Sequence, residues 1–191
     1  MKKLKLILLS ILFFCSGHLM EAQNKWSAEF RPGINFPSED LADAKIETGF
    51  GFEFTVGYRF MKYLHAYLGW GYNTYSIEDS DTDFDETGYT FGFQFTHPIG
   101  TSQDLSYLLR AGAIYNHLEL EDEDGDLIDD SGHGLGWQVE AGLDYVLGDS
   151  WSLRPSIRYR ALSRNLEVMQ GENISVDLNY LSFGLGVSKS F

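Results

Sequence analysis

Hydrophobic and polar residues alternate with a period of two along most of the chain. In residues 48–60, aromatic residues and Val56 occupy every second position, and small or polar residues occupy the positions between them. Because a β-strand directs successive side chains to opposite faces, this pattern predicts a strand with one bulky apolar face. The same alternation predicts eight strands, at residues 26–36, 48–60, 63–75, 88–98, 104–117, 133–147, 151–162 and 174–191.

The polar face of these predicted strands is rich in glycine. Most of the 20 glycines fall on it, at positions 33, 49, 51, 57, 69, 71, 88, 92, 112, 134, 136, 142, 184 and 186. A soluble lipocalin-like barrel would turn the aromatic face inward and leave these glycines facing water for no evident reason. Small inward residues instead suit a narrow barrel whose large side chains face lipid. We therefore predict an all-β fold, an eight-stranded antiparallel up-and-down transmembrane β-barrel.

The joints between the predicted strands alternate between short and long. The short joints are 61–62, 99–103 and 148–150, and the long joints are 37–47, 76–87, 118–132 and 163–173. In an antiparallel barrel with an even number of strands, all the long joints emerge at one end. Outer-membrane barrels have short periplasmic turns and long outer loops, so we expect extracellular loops and periplasmic termini.

Three positions disturb the predicted strands. Pro32 and Pro155 lie inside strands and lack the N–H that a closed barrel needs, so we expect local bulges there. The alternation also slips near Tyr180. Either a bulge lies at that point, or residues 174–180 project beyond the membrane.

The first residues have the layout of a secretory signal peptide. A basic start is followed by an apolar run that ends near Phe14 and is shorter than the roughly 20 residues of a membrane-spanning helix. We expect a signal peptide over 1–22 and a barrel domain over 23–191, with cleavage after Gly17 as the alternative. The only cysteine, Cys15, follows the bulky Phe14, which argues against lipidation, so we expect no thiol chemistry in the mature chain.

Two stretches resemble a known family. Residues 180–191 end on Phe191 and resemble the C-terminal strand of bacterial outer-membrane barrels, in which the final aromatic residue is part of the insertion signal. Residues 136–145 and 151–160 resemble a hairpin of the small eight-stranded outer-membrane barrels of the OmpA membrane-domain and OmpX/Ail type. The resemblance implies the barrel fold and location in the outer membrane, in contact with its lipid and lipopolysaccharide. It implies no catalytic activity.

Charged residues on the inward face predict ion pairs within the lumen. If Leu147 pairs with Trp151 across the short turn, Asp144 lies opposite Arg154 and Glu140 lies opposite Arg158. These charges could line an ion path, which would make the protein a narrow porin-like channel. Because eight strands leave an interior just wide enough for side chains, we expect instead a filled, mutually neutralised lumen.

An enzymatic function has a weaker basis in the sequence. His117 and His133 lie near Glu119, Asp129 and Ser131, and a lipid-modifying hydrolase needs a histidine beside a serine and an acidic residue. The chain lacks the His-x-Ser pattern of the barrel deacylases. We therefore expect a non-enzymatic surface protein without cofactors, with lipid modification as an alternative.

The long joints carry most of the acidic residues of a chain whose net charge is −14. This surface disfavours nucleic acid and favours divalent cations or a basic partner. Residues 121–126 do not fit an EF-hand, because Leu120 and Ser131 fall where its first and last ligands belong. Asp122, Asp124 and Asp126 remain weak candidates for divalent binding. We expect the protein to be a monomer.

Overall fold

The computed structural model describes residues 25–38, 45–78, 83–121, 127–168 and 172–191. The expected signal peptide and the candidate ligands Asp122, Asp124 and Asp126 lie outside these ranges. The strands are β1 (Trp26–Pro37), β2 (Gly49–Arg59), β3 (Leu64–Ser76), β4 (Asp83–Pro98), β5 (Leu105–Glu121), β6 (Leu127–Asp130), β7 (Gly134–Gly148), β8 (Trp151–Val168) and β9 (Glu172–Ser190). None of the described residues forms a helix long and apolar enough to cross a membrane.

The strands form a closed antiparallel barrel. Each long strand pairs with its neighbours in chain order, and β1 pairs with β9 to complete the ring. The short strand β6 pairs only with the last residues of β5. The earlier part of β5 pairs with β7. The predicted eight-stranded barrel is therefore confirmed, with β6 as an addition to it.

The outer wall of the barrel is apolar and the inner wall is polar. Large hydrophobic side chains point outward along every long strand, with Leu135 70% and Phe50 60% exposed. Buried charged and polar residues alternate with them and fill the interior. This is the reverse of a soluble protein, and it fits a wall surrounded by lipid.

The four longest strands exceed the length that a bilayer requires by at least five residues. A tilted membrane strand needs about 9–11 residues, whereas β4, β5, β8 and β9 have 16, 17, 18 and 19. The predicted loops at 76–87, 118–132 and 163–173 are therefore wrong in extent, because much of each is strand. These strands project at the end that carries the long joints, which we call the long-loop end.

The projecting part of the barrel has an apolar core. Its members are buried and pack together inside the ring of strands: Ile46, Tyr75, Phe84, Ile114, Leu118, Leu162, Leu178 and Tyr180. Their outward neighbours are polar, for example Asp177 and Asn179. The polarity of the two faces is thus inverted where the strands leave the lipid.

This inversion accounts for the slip in the alternation near Tyr180. The register between β8 and β9 continues without a shift from Trp151↔Lys189 to Val168↔Glu172, so the bulge considered at Tyr180 is wrong. Alternate side chains still point inward and outward. In the projecting part, however, the inward ones are apolar and the outward ones are polar. Projection of residues 174–180 agrees with the length of β9.

The two strand prolines are accommodated without bulges. Pro32 pairs with Phe52 and Pro155 pairs with Leu185 in uninterrupted registers, so the predicted bulges are wrong. On the other side of each proline the ladder skips the proline and the arginine before it, and then resumes in the same register. The missing N–H therefore costs one hydrogen bond and leaves the strand alignment unchanged. Described strands shift register only at Val146/Gly148 and Leu120/Glu121.

Candidate functional site

Glu53 on β2 is the centre of a charge network that fills the lumen. Its carboxylate accepts hydrogen bonds from Arg31 on β1 and from Arg158 and Arg160 on β8. The side chain is 1% exposed, and each arginine is also buried. A buried carboxylate is tolerated when it is paired and hydrogen-bonded, and three guanidinium groups meet that condition at Glu53.

A second carboxylate joins the network nearer the short turns. Glu29 lies 2.6 Å from Arg110 Nη2, 2.8 Å from Arg154 Nη1 and 3.2 Å from Arg31 Nη1. Arg31 therefore contacts both Glu29 and Glu53. Because these residues come from β1, β2, β5 and β8, the ion pairs cross the lumen and do not merely follow neighbouring strands.

Glu86 extends the network toward the long-loop end. Its carboxylate accepts hydrogen bonds from Arg160, Asn116 and the Tyr180 hydroxyl. Tyr180 also belongs to the apolar core of the projecting part. The charge network and the apolar core therefore meet at Tyr180. Side chains occupy the described lumen on both sides of this residue.

The structure brings one of the two proposed lumen pairs together. Arg154 donates to Asp144 Oδ2 from Nη2 at 2.8 Å and from Nε at 3.1 Å. Glu140 and Arg158 lie opposite each other in the register, but no ion pair joins them among the described residues. Glu140 instead contacts Arg31, and Arg158 contacts Glu53. The proposed Glu140–Arg158 contact is therefore wrong, because both side chains reach across the lumen.

Two charged interior residues were missed as parts of the lumen. Glu86 and Arg164 fall in the predicted loops, yet they are 1% and 5% exposed. Arg164 donates to the backbone carbonyls of Asn116, Leu135 and Gly134. Glu86 has the same parity as Thr90 and Gln94, which are buried on β4. Extending that alternation upstream would have placed Glu86 inside the barrel.

Little free space remains inside this part of the barrel. An interior cavity lined by Arg31, Asn35, Asn73, Arg158 and Ser182 has a volume of about 10 Å³, no more than one water needs. The glycines on the inner wall make room for the large side chains. A methyl group added at Gly112 would lie 2.4 Å from the Tyr67 hydroxyl, so that ring occupies the space a larger residue would need.

A second cluster of ionisable residues lies on the outer wall of the projecting part. His117 Nδ1 is 3.1 Å from Asp130 Oδ1 and 3.7 Å from Glu119 Oε1. The ring of His133 stacks on that of His117 with centroids 4.4 Å apart. Burial raises the pKa of Asp130, but the Gly132 N–H and His117 outweigh it and hold the pKa below its usual range.

This cluster does not form the histidine–serine pair that the alternative of a lipid-modifying hydrolase requires. The Ser131 hydroxyl accepts from the Leu118 N–H and donates to the Gly132 carbonyl. Within the described residues, no hydrogen bond joins Ser131 to either histidine. The geometry therefore offers no activated serine nucleophile at this position.

A closed antiparallel barrel with an apolar outer wall and a charged, filled interior defines an integral β-barrel of the outer membrane. The chain belongs to the outer membrane protein beta-barrel domain family, which matches residues 6–191. It is accordingly an outer-membrane protein. No curated protein sequence matches it.

Solved structures share this fold at low sequence identity. Neisserial surface protein A (NspA) has a TM-score of 0.67 and 18% identity, over 87% of this chain and 97% of NspA. Outer Membrane Protein W of E. coli has a TM-score of 0.58 and 17% identity, over 90% of this chain and all of that protein. Ail, the attachment invasion locus protein of Yersinia pestis, was solved with the heparin analogue sucrose octasulfate. It has a TM-score of 0.51 and 15% identity, over 87% of this chain and 97% of Ail. These likenesses concern the fold alone.

Proposed function

We propose that this protein is a non-enzymatic outer-membrane barrel that acts through its projecting end and conducts no solutes. The observation that carries the proposal is the filled lumen. Ion pairs occupy it from Asp144 to Glu86, and the apolar core of the projecting part continues beyond Tyr180. A pore would require several of these buried ion pairs to separate at once, each at a cost of several kcal/mol.

Planar-bilayer recording of the purified protein tests the closed lumen. We expect no sustained conductance from the natural sequence. A variant with Arg160→Ala and Tyr180→Ala should also stay closed, because the ion pairs of Glu29 and Glu53 with Arg31, Arg110, Arg154 and Arg158 still occupy the lumen. Sustained porin-like conductance from the natural protein would contradict the proposal.

The surface available for interactions is then the projecting end. We place it outside the cell, because short turns are typical of the periplasmic end of such barrels. Exposed acidic residues include Glu47, Glu78, Asp83, Asp130 and Asp177. Asp85 and Glu86, which the sequence assigned to an acidic loop, are buried and do not contribute to this surface.

The sign of the surface charge selects the partner. A polysulfated ligand such as that bound to Ail would be repelled by an acidic end, so we propose a basic partner or divalent cations. Binding to immobilised polylysine and to immobilised heparin separates a basic partner from a polysulfated one. We expect binding to polylysine that weakens with salt, and none to heparin. Binding to heparin, or salt-independent binding to both surfaces, would contradict the proposed partner class.

A further inference from the structure

The outer wall of the projecting part carries a row of carboxylates across three strands. Asp85 on β4 is paired with Glu119 on β5, and Glu119 is paired with Asp130 on β6. Residues paired directly across strands share a face, and like charges in such positions are destabilising. Two of the three carboxylates, together with His117, converge on one point.

The convergence has the dimensions of a metal site. The ligand atoms of His117, Glu119 and Asp130 all lie within 4.8 Å of one another. A tetrahedral ion with bonds of about 2.0–2.2 Å holds its ligands roughly 3.3 Å apart. The distances of 3.1 and 3.7 Å from His117 Nδ1 to the two carboxylates bracket that value.

Two further observations point to a ligand at this position. Asp85, in the same row of carboxylates, is 5% exposed; its Oδ2 accepts from the Tyr72 hydroxyl, and its Oδ1 has no hydrogen-bond partner. The stacked ring of His133 also restricts the orientation of His117. The site thus combines excess negative charge with an imidazole held in a defined plane.

We propose that His117, Glu119 and Asp130 bind a divalent transition metal of the Zn²⁺ class, with water in the fourth position. One imidazole nitrogen and two carboxylate oxygens are ligands that Zn²⁺ accepts at tetrahedral geometry. Ca²⁺ instead takes six to eight oxygen ligands, which this cluster does not supply. The metal ion replaces the proton on His117 Nδ1 and offsets the repulsion between the paired carboxylates. This site is additional to the proposed interaction surface and does not depend on it.

Zinc titration of the purified, chelator-treated protein in detergent tests the site, with a chromogenic chelator as the competitor. We expect one equivalent of Zn²⁺ to bind and to remain bound in millimolar Ca²⁺. His117→Gln and Asp130→Asn should each weaken binding by at least the roughly 10- to 100-fold caused by loss of an outer-shell partner. His97→Gln is the matched control. His97 lies at the end of β4 that is far from Asp85 and the proposed site, and its ring stacks on Phe95. It should bind Zn²⁺ like the natural protein.

The variants also separate this site from general binding by acidic residues. His117 and Asp130 lie on the outer wall of the projecting part, so either substitution should leave the barrel folded. Tryptophan fluorescence can check this. Zn²⁺ binding that is unchanged by both His117→Gln and Asp130→Asn would overturn the proposal. So would displacement of the metal by Ca²⁺, or an equal loss of affinity in His97→Gln.

Discussion

At the scale of single residues, the stability of the barrel depends on how completely its buried charges are paired. Glu53 is buried and accepts hydrogen bonds from three arginines, whereas the buried Glu29 accepts from two, Arg110 and Arg154. Removing the charge of Glu53 takes away the carboxylate that Arg158 contacts, whereas Arg31 keeps Glu140 and Arg160 keeps Glu86. Burying each of these charges costs desolvation free energy, and the ion pairs of the whole network offset that cost.

The substitution Glu53→Gln should lower the free energy of unfolding by about 3–5 kcal/mol, the cost of breaking a buried pair. Urea unfolding in lipid vesicles, followed by tryptophan fluorescence, measures the change. Glu78→Gln is the matched control, because the Glu78–Lys45 pair is exposed and should contribute at most about 1 kcal/mol. Equal effects of the two substitutions would mean that the interior is hydrated enough to screen its charges.

The sequence predicts which charged residues face inward, but not which ones meet. Parity placed Glu29, Glu53 and Arg110 in the lumen, and the register placed Glu140 opposite Arg158. An arginine side chain is long enough to cross a narrow barrel, so its partner depends on all the strands around the ring. Local alternation carries no information about that choice.

At the scale of strands, the inversion of polarity divides β8 and β9 into two parts with different surroundings. Within the lipid, outward residues such as Ile157 and Phe183 are apolar. Beyond it, Leu162 and its register partner Leu178 point inward and pack in the apolar core. The alternation predicted the end of β8 at residue 162 and not at Val168, because it required apolar residues to keep facing outward, whereas the prediction for β9 began within two residues of Glu172.

Truncation of the apolar core should loosen the projecting part without unfolding the membrane part. Leu178 is fully buried, so Leu178→Ala should cost the projecting hairpin about 2–5 kcal/mol through the cavity it leaves. Limited proteolysis should then cleave the β8–β9 hairpin faster, while the heat-dependent gel mobility of the barrel stays unchanged. Phe183→Ala on the lipid-facing wall serves as the control and should not increase cleavage. Unchanged cleavage in Leu178→Ala would show that the apolar core does not hold this hairpin.

At the scale of the whole molecule, the orientation in the membrane decides which surface meets the outside. The only cysteine, Cys15, lies in the expected signal peptide, so single cysteines can report orientation. Glu78→Cys places an exposed thiol at the long-loop end, and Thr101→Cys places one in a short turn. A membrane-impermeant maleimide added to intact cells should label only the variant at position 78. Labelling of position 101 alone would reverse the orientation and move the acidic surface to the periplasm.

The ion pairs across the lumen also constrain the order in which the protein can assemble. Arg31 and Glu140 are 109 positions apart in the chain, and Glu29 and Arg154 are 125 apart. None of these pairs can form before the last strands have arrived, so an incomplete barrel carries unpaired charges that need water around them. Closure of β1 onto β9 would remove that water and form the pairs together. Folding should therefore be slow and cooperative, as is typical of chains dominated by long-range contacts. Its transition state would be reached only when the N-terminal and C-terminal strands meet.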